Sequence, residues 1–181
     1  MSTRILDHLE QPDASTCQAT AIAKILGTTD VRAIRNRLLE IGIAGDPAVM
    51  GTLMREEVAR GGLKHYEYNG NATLKELEDW VTQGQGFEAI VHGYFTPVGH
   101  VIGVEDAYPE AKFFKVDDPW YEFDFPRARF TNRGGKNQRY SYVGIYSYCC
   151  GSWSFNQAKD LYAKNSLAMT VPGLWLHKVQ N

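Results

Sequence analysis

Two observations predict an α+β fold, with a helical N-terminal half followed by an antiparallel sheet. Up to Gly86, apolar residues recur three and four positions apart, the spacing of helix faces. Beyond Gly86 they fall in short runs divided by Gly, Pro and Asp turns, the pattern of strands. A chain of 181 residues, 44% of them hydrophobic, can bury one sizeable core, so residues 1–181 are expected as a single domain.

The stretch 11–27, QPDASTCQATAIAKILG, reads as a loop entering a mostly buried helix that stops at Gly27. Asp13, Ser15 and Thr16 are good N-cap types, which puts Cys17 in the first turn. Residues 30–42 follow as an amphipathic helix between Asp30 and Gly42, with Val31, Ile34, Leu38 and Ile41 on its apolar stripe. A third helix starts at Asp46-Pro47 and ends near Gly61. A short strand is expected near residues 63–68. Thr73 and Glu76 make a capping box for a fourth helix. Residues 87–95, 100–107 and 112–118 then read as three closely spaced strands, hence an antiparallel meander. Residues 120–139, rich in aromatics and Arg, read as a long loop. The run 140–148, YSYVGIYSY, reads as a strand, residues 155–168 as a helix and 173–179 as a closing strand. Residues 120–181 are expected as an extension forming part of a cleft.

The bulk composition excludes several classes. Nineteen Lys and Arg against 21 Asp and Glu, with no run of like charge, give no footprint for nucleic acid or an anionic membrane. No stretch is long enough to span a membrane. The N-terminus lacks the apolar core of a secretory signal. The chain is therefore expected to be made in the cytoplasm and then released or delivered to its site of action. Three cysteines, two of them adjacent, make no disulfide framework, and Cys149 and Cys150 read as small buried residues. No close-spaced ligand pair exists, so no metal and no cofactor is expected. Composition says nothing of the oligomeric state.

Chemistry gathers at four positions. Unpaired N–H groups and the dipole at a helix start stabilise a thiolate, which makes Cys17 a candidate nucleophile, although a lone Cys in an Ala/Ile helix is usually a small hydrophobe. A cysteine nucleophile needs a base and a group that orients the base. Of five histidines, His100 opens a strand directly after Gly99, and alternation puts it on the face of Ile102 and Val104. In the next strand, alternation groups Asp118 with Phe114 and Val116 and turns it inward, leaving Asp117 outward with Lys115. An oxyanion needs donors. The Cys17 backbone N–H can supply one, and the side-chain amide of Gln11, six residues upstream, a second.

Gln11-Pro12-Asp13 with Thr16-Cys17-Gln18-Ala19, then Gly99-His100-Val101-Ile102-Gly103-Val104, then Val116-Asp117-Asp118-Pro119-Trp120, resembles the C39-like branch of the papain-like cysteine peptidases in order and spacing. The resemblance covers about residues 8–121. It implies Cys17 as nucleophile, His100 as general base and acid, Asp118 as the group orienting His100, and Gln11 as oxyanion donor. Many members carry Gly after the Cys, and this chain carries Gln18.

The resemblance implies a cysteine peptidase or amidase working through an acyl-enzyme. Exporter-fused members trim Gly-Gly leaders, a role not expected of a sequence without a membrane span or an ATPase. The aromatic and Arg-rich residues after Asp118, from Trp120 to Arg139, are expected to form a cleft wall suited to an anionic cell-wall peptide, as in a phage-type lysin. The alternatives are a peptidase acting on a protein or leader peptide, a related cell-wall peptidase of the NlpC/P60 or CHAP kind, and a papain-like binding module without activity.

Overall fold

The computed structural model describes residues 5–181. Residues 1–4, the start of the stretch read for a secretory signal, lie outside them. The first half folds as α1 (Cys17–Leu26), α2 (Val31–Ile41), α3 (Pro47–Arg60), β1 (His65–Ala72) and α4 (Leu74–Val81). Their ends are where capping chemistry puts them. Asp30 accepts from Ala33 N at 3.0 Å, Asp46 from Ala48 N at 2.8 Å and Thr73 from Glu76 N at 3.1 Å. Gly27 and Gly61 close α1 and α3 at φ 74° and 85°, a conformation that favours Gly.

The second half supplies β2 (Phe87–Gly93), β3 (His100–Tyr108), β4 (Phe113–Asp117), β5 (Tyr121–Asp124), β6 (Arg129–Gly134), β7 (Gln138–Ser141), α5 (Tyr142–Ile145), α6 (Phe155–Ala163) and β8 (Leu174–Gln180). A π-helical turn, Tyr146–Cys150, joins directly to α5. Six strands form one antiparallel sheet in the order β1-β8-β2-β3-β4-β7, and β5 and β6 form a separate hairpin. The expected meander is β2-β3-β4. Among the described residues no helix is long and apolar enough to cross a membrane.

The sheet is covered on both faces. Helices α1–α3 pack with Ile90, Val101 and Val179 on one side. On the other, α4, α5, the π turn and α6 pack with Val91, Ile102, Val104, Phe114 and Leu176. Two-sided burial overturns one expectation. Asp117 does point away from Asp118, but not into water. It is 3% exposed and meets His8 and, at 3.6 Å, Lys24 Nζ of α1. When both faces are covered, alternation distinguishes two interiors rather than inside from outside.

Three further expectations are corrected. Residues 120–139 are the β5–β6 hairpin and β7 rather than a loop. Tyr121, Phe123 and Phe125 alternate with acidic residues, and Phe123 and Phe125 turn into the core. The run 140–148 is a strand only to Ser141, whose Oγ accepts from Gly144 N at 2.9 Å and starts α5. Tyr142, Ile145, Tyr146 and Cys149 are buried at helical spacing, which an unbroken apolar run conceals. Finally, β8 closes no edge. It lies between β1 and β2, so residues 120–181 supply an interior strand to the main sheet.

Candidate active site

Cys17, His100 and Asp118 meet at one end of the sheet, where the α1–α3 layer abuts it. Cys17 is the first residue of α1, His100 the first of β3, and Asp118 follows the last residue of β4. Gly99, at φ 87°, turns the chain into β3. The strand pairing that aligns Gly103 with Asp117 carries His100 and Asp118 to the same end of the sheet. His100 Nε2 lies 2.7 Å from Asp118 Oδ1. That leaves Nδ1 for the Cys17 thiol, with which the His100 side chain also hydrogen-bonds.

Asp118 is fully buried and completely held. Its Oδ1 also accepts from Trp120 N at 3.0 Å, and its Oδ2 accepts from the Tyr140 hydroxyl at 2.8 Å. Tyr140 in turn accepts from Phe123 N at 2.9 Å. The Asp118 backbone N donates to Gly135 O at 2.9 Å. A Cβ on Gly135 would fall 2.1 Å from the Asp118 carbonyl oxygen, so only Gly allows this approach. The rings of Phe95 and Phe130 meet the His100 ring edge-on at 5.9 and 5.2 Å and fix its plane. Tyr140, Gly135 and Phe130 were not singled out by sequence reasoning. The signal available was the period-two spacing of Phe123, Phe125 and Tyr121 beside Asp118.

The electrostatics follow from this geometry. Burial alone would raise the Cys17 thiol. The hydrogen bond and charge of His100 and the backbone N–H groups of Val101 and Gln18 outweigh it, and the thiol is lowered from its usual value. Burial alone would lower His100. The charge and hydrogen bond of Asp118, with the bond to Cys17, outweigh that and raise it to about 10. Both shifts favour the thiolate–imidazolium pair over the neutral pair. The start of α1 adds to this, because Thr16 makes no side-chain cap. Asp13 Oδ1 accepts from Ser15 N and Oγ instead, at 2.9 and 2.8 Å, and so shapes the preceding turn rather than capping the helix. The first N–H groups of α1 stay open to an anion.

Gln11 is buried, and its backbone N donates to Pro119 O at 2.7 Å, tying the incoming loop to the strand end that bears Asp118. Its side-chain Nε2 donates to Asp13 O at 2.7 Å. One amide hydrogen remains beyond that bond. The other two cysteines are free; burial raises Cys149 well above the usual thiol and Cys150 to about 11.

Cys17 and His100 lie in a cleft of about 690 Å³. Its walls are α1, the loop at Ala44 and Gly45, the ends of β1 and β2, the turn at Val98, and Ser152, Trp153 and Trp175. None of residues 120–139 lines it, so the aromatic and Arg-rich segment is not the cleft wall that its composition predicts. Phe123 and Phe125 are core beneath the site, and the arginines lie elsewhere.

No family model matches the chain, and neither does any curated protein. Among solved structures it matches a double glycine motif protease from an AMS/PCAT transporter, determined in complex with a leader peptide. The likeness covers 99% of this chain and 95% of that one, with a TM-score of 0.50 and 12% identity. The likeness is one of fold, a mixed α+β papain-like arrangement. It extends beyond Trp120, where the sequence resemblance ends.

Proposed function

We propose that the protein is a cysteine peptidase that hydrolyses a peptide bond through an acyl-enzyme. The observation that carries this reading is the convergence of Cys17 and His100 in an open cleft, with a fully buried, hydrogen-bonded Asp118 behind His100. In the proposed reaction the Cys17 thiolate adds to the scissile carbonyl carbon and the carbonyl oxygen becomes an oxyanion. The open N–H groups at the start of α1 donate to it, and the second amide hydrogen of Gln11 is the further donor. His100 passes its proton from Nδ1 to the leaving amine nitrogen as the C–N bond breaks. It then takes a proton from water as the hydroxyl adds to the thioester, and the thiolate–imidazolium pair is restored as the acid leaves. Asp118 keeps Nε2 protonated and compensates the imidazolium.

A linear peptide or protein segment is the substrate the site supports better than a cell-wall stem. The basic residues of 127–139 do not reach the cleft, and Arg35, the arginine that lines it, donates to Ser15 O, so the ground that the 120–139 segment gave for an anionic stem peptide is gone. Val98 and Trp153 stand at its rim 95% and 84% exposed, as an extended chain with apolar side chains would need. The solved neighbour holds a leader peptide.

Mass spectrometry of a peptide library incubated with the enzyme, with Cys17→Ala as control, tests this. New termini are expected only with the active enzyme. Purified sacculi run alongside give no new amino groups. Release from sacculi without peptide cleavage would restore the cell-wall reading, and cleavage of neither would leave a binding module.

A further inference from the structure

The cleft has a second polar end that the triad does not use. His92 of β2 lines it, and behind His92 two residues form a chain into the core. His92 Nε2 lies 2.9 Å from Nε2 of the fully buried His177, and His177 Nδ1 lies 2.7 Å from the Tyr66 hydroxyl. Two neutral imidazoles facing through Nε2 share one proton, so their tautomers are coupled. Burial lowers His92 to about 4 and His177 well below the usual histidine, which keeps both neutral.

The direction of the chain is set at its inner end. The Arg55 guanidinium and the Tyr66 hydroxyl stand side by side. A Cβ on Gly51 would lie 3.2 Å from Arg55 Nη1 and 3.1 Å from the hydroxyl oxygen. The Arg55 charge acts on the Tyr66 hydroxyl and favours the orientation that turns its lone pairs toward the guanidinium and the phenolic proton toward His177 Nδ1. His177 then carries its proton on Nε2 and donates to His92 Nε2. The proton of His92 is left on Nδ1, which has no partner among the described residues and is not enclosed.

Beside it, Gln18 is 5% exposed and also lines the cleft. Its Oε1 accepts from Gly45 N at 2.9 Å, while its Nε2 is buried with no partner. An orphaned buried donor is destabilising until an acceptor reaches it. Asp46, the neighbour of Gly45, is close enough to act on His92, and its charge disfavours an anionic ligand there. A neutral acceptor fits.

We propose that His92 Nδ1–H and Gln18 Nε2–H form a neutral donor subsite that takes main-chain carbonyl oxygens of the bound peptide. This rests on the peptidase reading and deepens it.

Two measurements on the full chain decide it. Nitrogen-15 shifts of the histidines in the wild type should show His92 protonated on Nδ1 at neutral pH. Protonation on Nε2 overturns the proposal. In peptide cleavage, His92→Phe and Gln18→Glu, which keeps an acceptor for Gly45 N, should each raise KM about tenfold, the worth of one hydrogen bond. His92→Asn, which keeps a donor, should recover most of that, and iodoacetamide should label Cys17 at the wild-type rate in both His92 variants. Unchanged KM in both His92→Phe and Gln18→Glu overturns the subsite while the peptidase reading stands. If the wild type cuts no peptide, the peptidase reading falls, and the nitrogen-15 spectrum still upholds or overturns the donor.

Discussion

At the scale of single residues, environment alone separates three cysteines. Cys17 is lowered by its bond to His100 and its helix start, whereas burial raises Cys149 and Cys150. Limiting iodoacetamide is expected to label Cys17 first and to abolish peptide cleavage in step; faster labelling of the C-terminal pair would refute this. Asp118→Asn should cut kcat by roughly a thousandfold or more, because an amide stabilises the wrong tautomer of His100. It should also move a pH limb. In the wild type the raised His100 keeps its proton until about pH 10, so Cys17 alkylation keeps its ion-pair character up to there. The same bond stabilises the fold fully below the unfolded value near 6.5, and that contribution is lost as pH rises through about 10. In Asp118→Asn the limb should fall toward the ordinary histidine value; an unmoved limb would show that Asp118 does not hold the charge. Asp117→Asn is a different experiment. It loosens the contacts with His8 and Lys24 and should lower stability by about 1–3 kcal/mol, with kcat within a few fold of wild type. The convergence of Cys17, His100 and Asp118 is legible in the sequence because each sits at an element end marked by caps, Gly99 or Pro119. The surroundings of Asp117 are not, because no local pattern announces that both faces of a strand are covered.

At the scale of elements, α1 is buried along most of its length, and that includes a lysine. Lys24 is 3% exposed and reaches Glu105 at 2.7 Å, Glu88 at 3.1 Å and Asp117 at 3.6 Å, from β3, β2 and β4. This ion cluster pins the helix that carries Cys17 to three strands of the sheet. Lys24→Met would leave three carboxylates facing one another, and should destabilise the protein by about 3–5 kcal/mol in denaturant unfolding, the usual loss when one partner of a buried pair goes. A loss below about 1 kcal/mol would mean that water reaches the cluster. No local pattern marks Lys24, since its partners lie 64 to 93 positions away. The β5–β6 hairpin makes the same point from the other side. Its alternating Tyr121, Phe123 and Phe125 carry a strand signal that the arginines around them mask. The reach of Tyr140 to Asp118, 22 positions away, has no local signal at all.

At the scale of the whole molecule, the fold joins its two ends. The last strand, β8, pairs with β1 on one side and β2 on the other. It carries Leu174 and Leu176 into one core and Val179 into the other, and presents Trp175 to the cleft. Helix α1 and Cys17 come early in the chain and His100 and Asp118 much later, so nothing near the site is local in sequence except the turn into α1. A fold built on such long-range pairings buries little until most of the chain is present. Truncation after Pro172 should therefore do more than trim an extension. It would strip the ladder partners from β1 and β2, expose two edges in mid-sheet and open both cores. The truncated chain is expected to lose its cooperative thermal transition and, with it, the selective alkylation of Cys17. A chain ending at residue 172 that still unfolds in one sharp step, and still labels first at Cys17, would show that the N-terminal half folds and builds its site without the last strand.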